Sequence, residues 1–163
     1  MMVGAVEINV LIDEELEVPL EARWLERVAG KVLAAQRVDS RVEIGVVITG
    51  QERVHQLNRL YLGKDEPTDV LAFPMLPRPA GEGVAPFVAP PDGIAHLGEV
   101  IVAYPQAVTQ ASEHQHTVEK ELAILIIHGI LHLLGYDHEQ PDREQAMKAR
   151  ELEILGLLEG ELR

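Results

Sequence analysis

Cysteine is absent from the 163-residue chain. That excludes disulfides, thiolate metal sites and cysteine nucleophiles, and it leaves imidazole, carboxylate and carbonyl groups as the only ligands for a metal. A chain without disulfides suits a reducing compartment, so the expected location is cytoplasmic. Cations are scarce: 14 Lys and Arg stand against 27 Asp and Glu, a formal net charge of −13. Such a molecule repels polyanions overall, so a broad basic nucleic-acid surface is excluded and any such contact has to be local. Much of the acid falls near the ends, at Asp13, Glu14, Glu15 and Glu17 and again at Glu151, Glu153, Glu159 and Glu161, and reads as solvated faces. Long apolar runs are missing too. Leu122 to Leu134 falls short of the about 20 residues a membrane span needs, and His128 and His132 interrupt it. The first residues lack a basic segment followed by an apolar one, so no export signal and no membrane partner are expected.

What is present fits one globular domain over residues 1–163, with 47% apolar and 25% charged residues and no internal repeat. Alternating Val6, Ile8 and Val10 predict a strand to Ile12, and Leu20, Trp24, Val28 and Val32 predict a helix from about Pro19 to Ala35, with Trp24 in the core. The β-branched run Val42 to Ile48 predicts a second strand, closed by Thr49-Gly50 ahead of a helix through Leu60. Asp69–Phe73 and Glu99–Ala103 read as further strands. Between them, from about residue 74 to 96, six prolines from Pro74 to Pro91 and three glycines disfavour helix and ladder alike. This stretch is expected to be a flexible loop, a spacer more than a flap. Pro105 opens a helix carrying Val108 and Ala111, Thr117 caps the next, and Pro141 or Asp142 starts a terminal helix with Ala146, Ala149, Leu152, Ile154 and Leu155 turned inward. The expected fold class is α+β, a small four-stranded sheet covered by about five helices.

The segment His128-Gly-Ile-Leu-His132-Leu-Leu-Gly135-Tyr-Asp-His138 carries the chemistry. Histidines four apart lie one turn above each other on a helix, so their rings can converge on one ion. Gly135 can end the helix in a left-handed conformation and return His138 as a third ligand. Three neutral imidazoles leave one zinc ion an open position, an arrangement in which bound water ionises near pH 7. Asp137 is a reasonable acceptor for a ligand imidazole N–H, or simply a turn former. His55, His96, His114 and His116 lack such spacing and are expected at the surface or in loops. The same spacing occurs in metzincin proteases, where a glutamate general base follows the first histidine. Here that place is Gly129, which disfavours peptide hydrolysis by that route.

With LNRLYLGKDEPTDVLAFP (57–74) and LGEVIVA (97–103), the segment HGILHLLGYDH (128–138) resembles the YbeY family of bacterial metallo-endoribonucleases. The resemblance implies a mixed sheet with helices and zinc ligands His128, His132 and His138. It also implies cleavage of single-stranded RNA in ribosomal RNA maturation, notably at the 3′ end of the small-subunit (16S) RNA, and in ribosome quality control. RNA and the ribosome or its small subunit are then the partners. Two departures stand out: Leu62 occupies the place of a usual arginine, and Glu99 that of a usual aspartate. Arg59, three residues before Leu62 and on the same helical face, is a candidate replacement, and Lys64 in the turn that follows is a candidate phosphate contact. Asp65 would brace that turn, while Thr68-Asp69 reads as turn chemistry and Glu99 as a supporting carboxylate or a surface one. Arg53, Arg59, Lys64 and Arg78 are the few cations available for a local groove. The alternatives are a zinc metalloprotease-like hydrolase and a non-enzymatic, ribosome-associated metal-binding module. A fourth protein ligand on the metal would favour the module.

Overall fold

The fold is seen in a computed structural model, which describes residues 6–14, 16, 20–38, 41–66, 68–74, 95–136, 141–158 and 160. Most of the loop expected at 74–96 lies outside these residues. Strand β1 (Val6–Ile12) leads through helix α1 (Ala22–Ala35) to β2 (Val42–Thr49), and α2 (Gln51–Leu62) leads to β3 (Val70–Pro74). Strand β4 (Ala95–Ala103) is followed by α3 (Tyr104–Glu113), α4 (Val118–Leu133) and α5 (Pro141–Leu157). The sheet order is β1-β2-β4-β3, with β1–β2 and β2–β4 parallel and β3 antiparallel to β4. Among the described residues this is the α+β fold with a mixed four-stranded sheet and five helices that the sequence predicts.

One sheet face makes the main core. Val42, Ile44, Val46 and Ile48 of β2 and Leu97, Val100 and Val102 of β4 point at α1 and α4. Helix α1 contributes Trp24, Leu25, Val28, Ala29, Val32 and Leu33, so Trp24 is indeed core. Helix α4 is buried along most of its length and packs on β3, β4, α1, α3 and α5, as suits a helix apolar nearly all round. The other sheet face is only partly covered. There α2 sets Val54 and Leu57 on Leu71, Ile101 and Ala103, leaving a groove of about 890 Å³ bordered by Leu11, Val47, Arg53, Tyr61, Phe73 and Glu99.

Two helix ends follow the sequence signals: Pro105 stands in the first turn of α3, and the Thr117 hydroxyl accepts from the Lys120 N–H at 3.1 Å; α2, expected through Leu60, runs on to Leu62, where Gly63 ends it with φ 71°. Two expectations are corrected. Strand β4 begins at Ala95, four residues before the predicted Glu99, because a bulge lets a Gly-interrupted stretch pair. Its Gly98 has φ 131°, and a Cβ there would fall 2.0 Å from the Phe73 carbonyl oxygen, so only glycine fits. In α5 the inward residues are Met147, Ile154 and the following Leu158, with Leu155 partly buried against the core as expected and Arg150 and Glu151 half-buried on the same stripe. Ala146, Ala149 and Leu152 face outward. Arg150 fixes that rotation: its guanidinium bonds the Gln36 side chain and donates to the Ala35 carbonyl at 2.5 Å, tying α5 to the end of α1. In α3 likewise Ala107 and Ala111 are buried while Val108 is exposed.

Candidate metal centre on the central helix

His128 and His132 project from one face of α4, their ring centroids 4.7 Å apart and their planes 72° apart. Both are half-buried in a helix whose neighbouring positions are closed by apolar packing. The Nδ1 of His128 lies 2.7 Å from a carboxylate oxygen of Glu151 on α5. A carboxylate on one ring nitrogen fixes the tautomer and turns the other nitrogen, Nε2, into the natural metal donor. The α5 rotation is thus also what delivers Glu151, a partner the sequence reading did not find: its residue looks like one more acid on a solvated face.

Gly135 terminates the helix as its sequence position suggests. At φ 111° its N–H donates to the His132 carbonyl (3.1 Å) and the Tyr136 N–H to the Leu131 carbonyl (3.0 Å), the paired bonds of a left-handed helix end. The chain therefore turns sharply just before His138, while Asp137 and His138 themselves lie outside the described residues. Gly129 is held by packing: a Cβ there would sit 2.5 Å from Val100 Cγ1. No side chain fits at the place where metzincins carry their glutamate, so that base is excluded here by space as well as by sequence.

The candidate cations are not drawn to the histidines. Arg59 is exposed on the last turn of α2 and Lys64 is exposed in the turn beyond it. Among the described residues neither is hydrogen-bonded or ion-paired to His128 or His132. The turn itself is braced as expected of Asp65, which meets His55 Nε2 at 2.8 Å, and by the buried Asn58 amide, which donates to the Glu66 carbonyl at 2.9 Å. Arg53 borders the open groove, and Arg78 lies outside the described residues. Glu99 stands over Gly45 on the open face, away from α4, so it is a surface carboxylate rather than a support for the histidines.

Asp69 does more than shape a turn: its Oδ2 accepts from Gln110 Nε2 at 3.2 Å. Gln110 in turn donates to Glu121 at 2.9 Å, and both His114 and His116 point at the same carboxylate. Both histidines lie beyond α3 in the loop to α4, as expected of surface or loop residues, but His116 is largely covered. Burial pushes the Glu121 carboxyl up, but the bonds from His116, His114 and Gln110 and the charge of His116 outweigh it and hold the group below its ordinary range.

The chain is similar to known proteins over most of its length. The family model described as endoribonuclease YbeY matches residues 10–159. An endoribonuclease YbeY of Dehalococcoides mccartyi is 48% identical over 147 residues, covering 89% of this chain and 92% of that protein. One from Chloroflexus aurantiacus is 42% identical, covering 93% and 94%. The solution structure of TM1509 from Thermotoga maritima superposes with a TM-score of 0.57 at 28% identity, covering 94% of this chain and 92% of that one.

Proposed function

Since the chain belongs to the endoribonuclease YbeY family, we propose that it cleaves single-stranded RNA at a zinc ion held by His128, His132 and His138. The substrate we infer is ribosomal RNA, with the 3′ end of the small-subunit RNA as the principal site and ribosome quality control as a related role. Its workplace in that reading is the cytoplasm, on the ribosome or its small subunit. The observation that supports this best is the 2.7 Å contact between His128 Nδ1 and Glu151, the arrangement in which metal-binding imidazoles are commonly held. The donor set fits zinc: two imidazoles share one helix face, their partner turn is closed by Gly135, and no thiolate competes. When bound, the ion supplies Lewis acidity and an activated water.

The chain's own residues set up the rest. Glu151 orients His128 and keeps its proton on Nδ1. Gly129 lets α4 lie against Val100, so the histidine face stays where the sheet puts it. Arg59 and Lys64, exposed at the end of α2, are the cations we assign to phosphate contact in place of the arginine that Leu62 lacks. A protease reading loses its base at Gly129.

The test is cleavage of an unstructured RNA by native and His132→Ala protein, with metal analysis of both. Activity is expected to vanish in the variant and after chelation, and to return to the native protein with Zn²⁺. Cleavage that survives both treatments ends the proposal. Robust hydrolysis of a peptide library would transfer it to the protease class.

A further inference from the structure

A second set of ligand atoms lies at the junction of α3 and α4, at the opposite end of α4 from Gly135. His114, His116 and Glu121 each bring one donor atom, all within 4.8 Å of one another. The backbone gathers them deliberately. After α3, Gln115 takes φ 58°, and its N–H and that of His116 return to the Ser112 (3.2 Å) and Ala111 (3.0 Å) carbonyls. A left-handed end made with glutamine instead of glycine is costly, yet it puts the imidazoles on both sides of that residue over the first turn of α4. Glu121 waits there with its side chain only 3% exposed.

One carboxylate oxygen, Oε1, faces both rings: His114 Nδ1 at 3.1 Å and His116 Nε2 at 2.5 Å. The other, Oε2, accepts from Gln110, itself anchored on Asp69. A buried carboxylate steadied from behind by an amide, with two imidazoles converging on its front oxygen, is the arrangement of a metal ligand and its outer support. The second imidazole is superfluous if the carboxylate only needs a hydrogen-bonded partner. We propose that His114, His116 and Glu121 bind a divalent transition-metal ion of the zinc type, separate from the histidines at the other end of α4. In a tetrahedral zinc site with bonds of about 2.0–2.1 Å, donor atoms stand about 3.3 Å apart. When the ion replaces the protons that now bridge the rings to Oε1, the His114 contact therefore lengthens by about 0.2 Å and the His116 contact by about 0.8 Å. His114, 57% exposed, leaves the ion an entry path, and His116, 16% exposed, is the more enclosed ligand. Two imidazoles and one carboxylate leave the ion a further position for water. Bound there, it clamps the end of α3 to the start of the helix that carries His128 and His132.

Zn²⁺ titration of the chelator-stripped full chain, read by calorimetry, tests this. His114→Ala removes an exposed side chain and should bind one equivalent fewer than the native protein. The His128→Ala/His132→Ala double variant should keep one equivalent, give visible absorption with Co²⁺ and melt higher in Zn²⁺, and adding His116→Ala should abolish all three. Equal stoichiometry and affinity in native and His114→Ala protein overturn the proposal and leave a hydrogen-bonded cluster. If the double variant does not fold, the comparison of native and His114→Ala protein decides alone.

Discussion

Glu151 is the side chain whose removal tests the proposed metal site most directly. Glu151→Ala leaves His128 and His132 in place but lets the His128 ring choose its own tautomer and rotation. Loss of such an outer carboxylate typically lowers metal affinity 10–100-fold, and that is the change expected in a competition assay with a zinc chelator. Glu151→Gln, which still accepts a hydrogen bond, should fall between; an affinity unchanged in both variants would detach Glu151 from the site. The pairing of His128 and His132 was legible in the sequence because imidazoles four apart on a helix have a fixed relation. Glu151 was not, because 23 residues and a change of helix separate it from His128. The Glu121 cluster was hidden for a related reason: it depends on a left-handed Gln115, a conformation no residue pattern announces.

At the scale of elements, α4 is set against β4 by the absence of a side chain at Gly129. Gly129→Ala drives a methyl into Val100, and overpacking of this kind costs about 1–3 kcal/mol. Val100→Ala costs stability alone by opening a hole, but combined with Gly129→Ala it should recover part of the loss, a coupling that urea unfolding of both single variants and the double variant will reveal. Simple additivity would mean the two do not meet. Most strands and the first four helices could be read from periodicity and end signals, since their apolar residues recur at strand or helix spacing. For α5 that logic misleads, as Arg150 and Glu151 take inward places for the Ala35 carbonyl and His128, and the apolar Leu152 is pushed out to 70% exposure. In β4 the bulge before Gly98 breaks the alternation on which a strand is recognised.

For the whole molecule, the charge of −13 leaves few cations to meet RNA in the proposed reading. A single strand releases about 0.7 of a counterion per neutralised phosphate, so the logarithm of affinity should fall only gently with the logarithm of salt. Arg59→Ala and Lys64→Ala should each make the slope shallower by about that amount, measured by fluorescence anisotropy on an unstructured RNA. An unchanged slope would remove that residue from the interface. The distance along the chain between His128 and Glu151 has one more effect. Translation runs in one direction, so the imidazole leaves the ribosome before the acid that steadies it, and an unfinished polypeptide carries a histidine pair without its brace. The histidine face of α4 thereby stays without its carboxylate partner until α5 has docked.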